Sequence, residues 1–204
     1  MKLLTFDTCL DKTYITLSID NKIIKSKTIF SDSENYHSAY LISTIVKILK
    51  DAELTPNDID LISTDIGPGS FTGIRACTTV ARVLAQQLNI KTIGVSSLEI
   101  LSHAIGGNDM VVLDARKNKA YVYNGEILGA VELEKVDEMV RGKLVITDKS
   151  LYDRISKNAE TTISYQSGDF PLGDILNKLA LEKEPKNWQE LKPLYIQPPP
   201  VFGK

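Results

Sequence analysis

Apolar and polar residues alternate over the first thirty positions with the period of two that is typical of half-buried β-strands. Residues 3–6 form a short apolar run, and residues 14–19 alternate strictly. Turn-forming residues 20–22 then lead into a β-branched stretch at 23–30. The chain is therefore predicted to open with three strands.

The pattern then changes to the 3.6-residue period of an amphipathic helix, predicted to span residues 34–52 after capping residues at 31–34. Its apolar positions form one broad stripe, made of Leu41, Ile42, Ile45, Val46, Ile48, Leu49 and Ala52. This stripe is wider than contact with a single sheet requires. Part of it is expected to face another helix or another chain.

The rest of the first half is predicted to form a strand at 59–64, a glycine-rich loop at 67–73 and a helix at 74–88. A strand at 91–95 and a helix at 97–105 follow. Gly106-Gly107-Asn108 breaks the pattern, so the expected domains are 1–106 and 107–204. The second half is predicted to repeat the order βββαβαβα in reduced form. Its strands are expected at 110–113, 120–123, 127–133, 143–147 and 161–165, and its helices at 134–140, 151–158 and 172–182. A proline run at 198–200 predicts an extended tail.

Composition narrows the classes of function. Lys and Arg number 24 against 26 Asp and Glu, a net charge of −2. A protein that binds nucleic acid by itself usually carries a positive surplus, so any RNA is expected to be held mainly by another subunit. Two histidines and two cysteines exclude zinc-finger and disulfide-scaffold classes, and Cys9 and Cys77 are expected to be buried reduced thiols. No stretch approaches the ~18 apolar residues of a membrane span, and a cytoplasmic protein is expected.

The loop at 67–73 is the densest chemical signal in the chain. Three glycines between a buried strand and a helix allow a sharp turn and leave backbone amides open to an anion. The spacing nevertheless misses both the P-loop and the dinucleotide fingerprint, each of which requires glycine at position 72. Two interpretations stay open and about equally favoured: an anion site, or glycines that only let the helix approach its neighbours closely.

The helix after this loop has a face of small residues, Gly73, Ala76, Cys77 and Ala81, suited to close helix packing. Arg75 and Arg82 lie two turns apart on one face. Outward arginines suit a polar rim or a carboxylate partner.

Several segments together resemble a known family. The loop at 67–75 reads GPGSFTGIR, residues 3–8 read LLTFDT, and shorter matches are YHS at 36–38, VSSLE at 95–99, LDAR at 113–116 and PLY at 193–195. They are similar to the bacterial TsaB family, also called YeaZ, densely over residues 1–123 and thinly beyond. The family usually has arginine where this chain has Gln197.

The resemblance implies an α/β fold of two RNase H-like lobes of the actin, sugar-kinase and Hsp70 (ASKHA) superfamily, the second reduced. It implies a role in making N6-threonylcarbamoyladenosine in tRNA. In that pathway the family is a non-catalytic partner of the TsaD transferase, which it activates in a heterodimer, and the small ATPase TsaE joins the complex. ATP and a metal are expected on the partner subunits, and tRNA is expected only within the complex.

The residues also predict that this chain lacks catalytic machinery. An actin-like ATPase wraps phosphates with glycine-rich turns, whereas the turns here, residues 8–12 and 114–119, contain no glycine. His37 is followed four residues later by Leu41, so the paired-histidine metal motif of TsaD-like proteins is incomplete. No catalytic, cofactor or metal residue is assigned. An ASKHA-type ATP-binding enzyme is the alternative, and a peptidase using Ser70, Ser96 or Ser97 a more remote one.

We therefore expect the two long helices to form a partner interface, either with TsaD or with a second copy about a two-fold axis. Aromatic residues and arginine are expected as anchors. The candidate interface residues are Tyr36, His37, Tyr40, Gly69, Phe71, Thr72, Gly73, Arg75, Ala76, Cys77, Val80 and Arg82.

Overall fold

The computed structural model describes residues 1–31, 37–107 and 109–197. The chain forms two compact units. The first comprises Met1–Ser97 with Leu172–Leu194, and the second is built from Leu98–Pro171 with the described tail residues 195–197. Each unit contains one five-stranded mixed sheet.

The first sheet contains all five strands that the alternation pattern predicts in this half. Its strands are β1 (Lys2–Asp7), β2 (Thr13–Ile19), β3 (Lys22–Ile29), β4 (Leu61–Asp65) and β5 (Lys91–Val95). They lie in the order β3-β2-β1-β4-β5, with the first three antiparallel and β4 and β5 parallel to β1. The parallel arrangement brings the carboxyl ends of β1 and β4 to the same edge of the sheet.

Two long helices accompany this sheet. The predicted helix at 34–52 is described from a 3₁₀ turn, His37–Tyr40, which continues as α1 (Leu41–Asp51); residues 32–36 lie outside the described residues. α2 (Phe71–Leu88) begins where the Ser70 hydroxyl accepts the amide of Gly73 at 3.2 Å and ends at Asn89, which adopts the left-handed conformation. α3 (Ser97–Ser102) is shorter than predicted.

The second sheet repeats the order of the first. Its strands are β6 (Met110–Arg116), β7 (Lys119–Tyr123), β8 (Ile127–Glu132), β9 (Leu144–Thr147) and β10 (Thr161–Ser164), with α4 (Leu133–Met139) and α5 (Tyr152–Ile155) between them. The order β8-β7-β6-β9-β10 matches β3-β2-β1-β4-β5. The predicted order βββαβαβ is therefore repeated in the second unit, and its helices α4 and α5 are short.

The last helix, α6 (Leu172–Leu181), packs on the first sheet. The amide of Asn177 lies 3.4 Å from the Thr5 hydroxyl, and the Thr16 hydroxyl donates to Asp174 at 3.2 Å. The division of the chain thus differs from the expected boundary between 106 and 107. Apolar periodicity predicts that a helix has a buried face, but not which of two similar sheets will cover it.

Each unit has its own apolar core. The first core joins the sheet to α1 and α2 through residues such as Phe6, Ile62 and Ile74, and the second centres on Val112, Val122 and Val145. Within the described ranges, no helix is both long and apolar enough to cross a membrane. The proline run at 198–200 lies outside the described residues.

Candidate functional site

The glycine loop lies directly against the turn that follows β1. A β-carbon on Gly69 would lie 2.3 Å from the carbonyl oxygen of Cys9, and one on Gly73 would lie 1.8 Å from that of Thr8. Neither position can carry a side chain unless the backbone moves. Both glycines are therefore required by close packing between the loop and the turn.

Polar groups of the loop are engaged by neighbouring parts of the chain. The amide of Ser70 donates to the carbonyl of Cys9 at 2.7 Å, and the amide of Gly67 donates to the Asp65 carboxylate at 2.6 Å. The Thr8 hydroxyl donates to the carbonyl of Gly73 at 2.6 Å. Of the two interpretations left open by the sequence, this geometry favours the steric one, because the turn occupies the space beside the loop.

A buried polar cluster lies beneath this contact, at the carboxyl ends of β1 and β4. The Ser97 hydroxyl lies 2.8 Å and 2.6 Å from the two carboxylate oxygens of Asp65. Asp7 accepts the amide of Cys9 at 2.6 Å through Oδ1, while its Oδ2 is buried with no hydrogen-bond partner among the described residues. Ligand atoms of Asp7, Cys9 and Asp65 lie within 4.8 Å of one another.

Burial controls the acidity of this cluster. It raises the pKa of Asp65 to about 6, although hydrogen bonds from Ser97 and Gly67 act in the opposite direction. Burial also raises the pKa of Asp7 well above its usual range, and the nearby Asp65 charge adds to this shift. Two carboxyl groups so close together in the interior favour a state that retains a proton.

The predicted small residues of α2 do not all lie on the same side of the helix. Gly73, Cys77, Ala81 and Ala85, spaced four residues apart, are all buried against the unit's own sheet and turn. The expectation that Gly73 and Cys77 contact a partner is therefore not supported, because both lie on the inward face. Among the predicted small residues, Ala76 is only partly buried.

The outward row of α2 consists of Thr72, Ala76, Thr79 and Val83. Beside it lies an apolar groove of about 310 Å³ between α1 and α2, with Val80, Leu84, Ile45 and Leu49 in its lining. On its margin, Ile42 is 62%, Val46 57% and Val83 51% exposed. The sequence analysis predicted the breadth of the apolar stripe on α1 but did not name Thr79 and Val83 as candidate interface residues. Their helical spacing from Thr72 is the signal that could have identified them.

Two arginines of α2 each stack on an aromatic ring. The Arg75 guanidinium lies 3.8 Å from the ring centroid of Phe71, which is 38% exposed. That of Arg82 lies 5.6 Å from the ring of Trp188. Aromatic and arginine groups thus accompany the outward row of α2, and their role as interface anchors stays a prediction.

The remaining candidate residues have different placements. Gly69 and Thr72 are exposed at the start of α2, and Tyr40 is half-buried at the start of α1. His37 begins the 3₁₀ turn, and Tyr36 lies outside the described residues. Whether any of these residues contacts a partner stays a prediction.

In the second unit, the turn that corresponds to the one after β1 is a tight hairpin. Arg116, Lys117 and Asn118 all have positive φ angles. Lys119 forms an ion pair with Glu132 at 2.9 Å. One cation of the basic cluster at this turn is thus paired, and the limited role in RNA binding expected from net charge stays a prediction.

Comparison with known proteins identifies related families. Residues 23–172 match a family model described as TsaD, tRNA N6-adenosine threonylcarbamoyltransferase. The tRNA threonylcarbamoyladenosine biosynthesis protein TsaB of Buchnera aphidicola is 37% identical over 94 residues, which cover 43% of this chain and 45% of the relative. TsaB of Bacillus subtilis is 31% identical over 119 residues, covering 55% and 51%. The chain thus spans about half the length of these curated relatives.

Solved structures extend the likeness to nearly the whole chain. YeaZ from Pseudomonas aeruginosa matches with a TM-score of 0.71 at 20% identity, over 95% of this chain and 99% of that one. A second Pseudomonas aeruginosa structure, titled as similar to peptidase YEAZ, gives 0.74 at 20% identity, over 96% and 99%. At this identity the likeness concerns the fold alone, and together with the two five-stranded mixed sheets it confirms the predicted α/β fold of two similar units.

Proposed function

Because the chain belongs to the tRNA N6-adenosine threonylcarbamoyltransferase family, within its TsaB branch, we propose that it is a non-catalytic subunit in the synthesis of N6-threonylcarbamoyladenosine in tRNA. It binds a TsaD transferase through α1 and α2 and activates it. The apolar groove between these helices is the observation that carries the proposal.

The groove has the composition of an interface core. Its margin exposes half or more of Ile42, Val46 and Val83 to water. Adjacent exposed apolar side chains on a folded surface are unfavourable unless a partner covers them. The Phe71 and Arg75 stack at the start of α2 provides the kind of anchor that interfaces favour.

The absence of catalysis is proposed from the loop and the turn. A phosphate cradle needs open backbone amides, but those of Gly67 and Ser70 donate to Asp65 and Cys9. The Cys9 carbonyl would collide with any side chain on Gly69. The peptidase alternative is disfavoured because Ser96 and Ser97 are buried and Ser97 donates to Asp65. The third candidate, Ser70, caps α2 by accepting the amide of Gly73.

The wider complex follows from the same proposal. ATP and the catalytic metal belong to the partner subunits, tRNA is held mainly by them, and this chain helps to recruit TsaE to its complex with the transferase. TsaE should therefore co-purify with the mixture of the two proteins and with neither alone.

The proposal is tested by reconstituting the modification with purified transferase, TsaE, threonylcarbamoyl-adenylate and tRNA. Omitting this chain should reduce product formation strongly, and this chain alone should form none. Calorimetry with ATP and Mg²⁺ tests the alternative that this chain is itself an ATP-binding enzyme. Tight, metal-dependent nucleotide binding by the isolated chain would favour an ASKHA-type ATPase over a docking subunit.

A further inference from the structure

The two cysteines of the chain, 68 positions apart, meet inside the first unit. The Sγ atoms of Cys9 and Cys77 lie 3.5 Å apart, and both are free thiols. We infer that this pair is a peroxide-sensitive modification site, at which the thiols form an intramolecular disulfide joining the turn after β1 to α2.

The surroundings hold the two sulfur atoms in place. The carbonyl of Cys9 accepts the amide of Ser70 and its own amide donates to Asp7, which fixes the backbone of the turn. Cys77 lies on the inward face of α2, and its Sγ is 3.1 Å from the carbonyl of Asp65. A disulfide requires the sulfurs to approach by a further ~1.5 Å, which side-chain rotation can supply in part.

Because both sulfur atoms are buried, only a small oxidant can reach them. Cys9 is 1% exposed and Cys77 is fully buried, so a bulky disulfide such as oxidised glutathione cannot reach either sulfur in the folded state. Hydrogen peroxide is close to water in size and can enter during small local openings. Burial raises the pKa of Cys9. Burial acts in the same direction on Cys77, but hydrogen bonds, chiefly with Cys9, outweigh it and lower the pKa of that thiol, so Cys77 is expected to supply the attacking thiolate.

The chemistry needs only the two thiols and one peroxide. One thiolate attacks a peroxide oxygen, which breaks the O–O bond, gives a sulfenic acid and releases one water after proton uptake. The second thiolate attacks the sulfenic sulfur, forms the S–S bond and expels hydroxide, which leaves as a second water. The thiols lose two electrons and the peroxide gains them.

A metal ion is the competing use of this cluster, since Asp7, Cys9 and Asp65 offer ligand atoms within 4.8 Å. The observations favour the disulfide. The Asp65 carboxylate is already engaged by Ser97 and Gly67. Two carboxylates and one thiolate would leave a divalent ion with net negative charge in a fully buried site, whereas a disulfide is neutral.

The 204-residue chain is treated with hydrogen peroxide under native conditions, then denatured, alkylated and analysed by mass spectrometry. A parallel sample, unfolded before oxidation, shows that the dose is sufficient. We expect both native thiols to disappear together, with a loss of two hydrogen atoms per chain, a Cys9–Cys77 crosslinked peptide and full reversal by dithiothreitol. The oxidised protein should also melt at a higher temperature than the reduced one.

The single variants Cys9→Ala and Cys77→Ala test whether the disulfide forms through a sulfenic acid. Each lacks the second thiol, so the remaining cysteine should accumulate a sulfenic acid, which dimedone traps when it is present as the oxidised chain is unfolded. The inference is overturned if native thiols stay reduced at a dose that oxidises the unfolded chain, or if the products are sulfinic acids or crosslinked dimers. Metal analysis of the protein as purified gives the last outcome: a stoichiometric ion released by blocking the thiols would assign the cluster to metal binding.

Discussion

The carbonyl oxygen of Thr8 lies 1.8 Å from the position that a β-carbon on Gly73 would occupy. The first turn of α2 is thereby pressed against the turn after β1, and the Thr8 hydroxyl donates to the carbonyl of Gly73 at 2.6 Å. This contact both fixes the helix that carries half of the groove and fills the space beside the glycine loop.

Replacement of Gly73 by alanine should therefore destabilise the first unit. The added methyl group meets backbone atoms, which cannot rotate away, so a loss of about 3 kcal/mol in the free energy of unfolding is expected. Urea denaturation of Gly73→Ala measures it. Gly106→Ala is the matched control, because a β-carbon there has only the Asp109 carboxylate at 4.0 Å. Equal stability of the two variants would contradict the packing account.

The sequence predicts the elements of this fold well because their apolar periods are regular. For the glycines at 69 and 73 it leaves an anion site and close packing equally open, and the structure favours close packing. It does not predict which small row of α2 faces inward, since Gly73-Cys77-Ala81 and Thr72-Ala76-Thr79 are similar in size. Only the position of the Thr8 and Cys9 carbonyls decides between them.

Long-range contacts are the other part that the sequence leaves open. Nothing in the spacing of Cys9 and Cys77 indicates that they meet, because the contact depends on how α2 crosses the end of β1. The same holds for Asp7 and Asp65, which come together through parallel pairing of β1 and β4. The packing of α6 on the first sheet likewise depends on tertiary structure.

The buried carboxyl pair predicts a specific pH dependence of stability. The pKa of Asp65 rises from 3.8 to about 6 on folding, so the folded protein holds more protons than the unfolded chain between these values. The Asp65 part of this stabilisation is fully present below pH 3.8 and is lost as pH rises through about 6, a change of about 3 kcal/mol. The pKa of Asp7 is also raised by burial and by the Asp65 charge, so Asp7 adds a loss of the same sign. Denaturant unfolding across this range measures it.

Asp7→Asn tests the cause of this slope. The amide is neutral in both states, can accept the Cys9 amide through its oxygen and can donate to Asp65. We expect the variant to be more stable than wild type at pH 7 and to lose less stability as pH rises. Asp51→Asn, at an exposed position, serves as the control and should keep the wild-type slope. A steeper slope in Asp7→Asn would be inconsistent with a shared proton.

Phe71 should contribute to binding of the transferase rather than to folding. Its ring is 38% exposed and stacks on Arg75, so Phe71→Ala should weaken the complex by about 30-fold and cost under ~1 kcal/mol of stability. Biolayer interferometry and thermal unfolding give the two values.

Phe30→Ala is the matched control for this variant. Phe30 is 61% exposed and lies 5.1 Å from the Lys12 ammonium, but its ring is not part of α1 or α2. The complex should keep wild-type affinity when Phe30 is removed. An equal loss of affinity from the two substitutions would contradict the proposal that α2 forms part of the binding surface.

The most direct measurement is the affinity of the purified TsaD transferase for Ile42→Glu and Val83→Glu, determined by calorimetry beside wild type and Ile24→Glu. Ile24 is 46% exposed on β3, outside the groove. A buried, unpaired carboxylate should weaken the first two complexes about 100-fold or more, while Ile24→Glu binds as wild type does. Unchanged binding by folded Ile42→Glu and Val83→Glu would contradict the assignment of the groove as the docking surface.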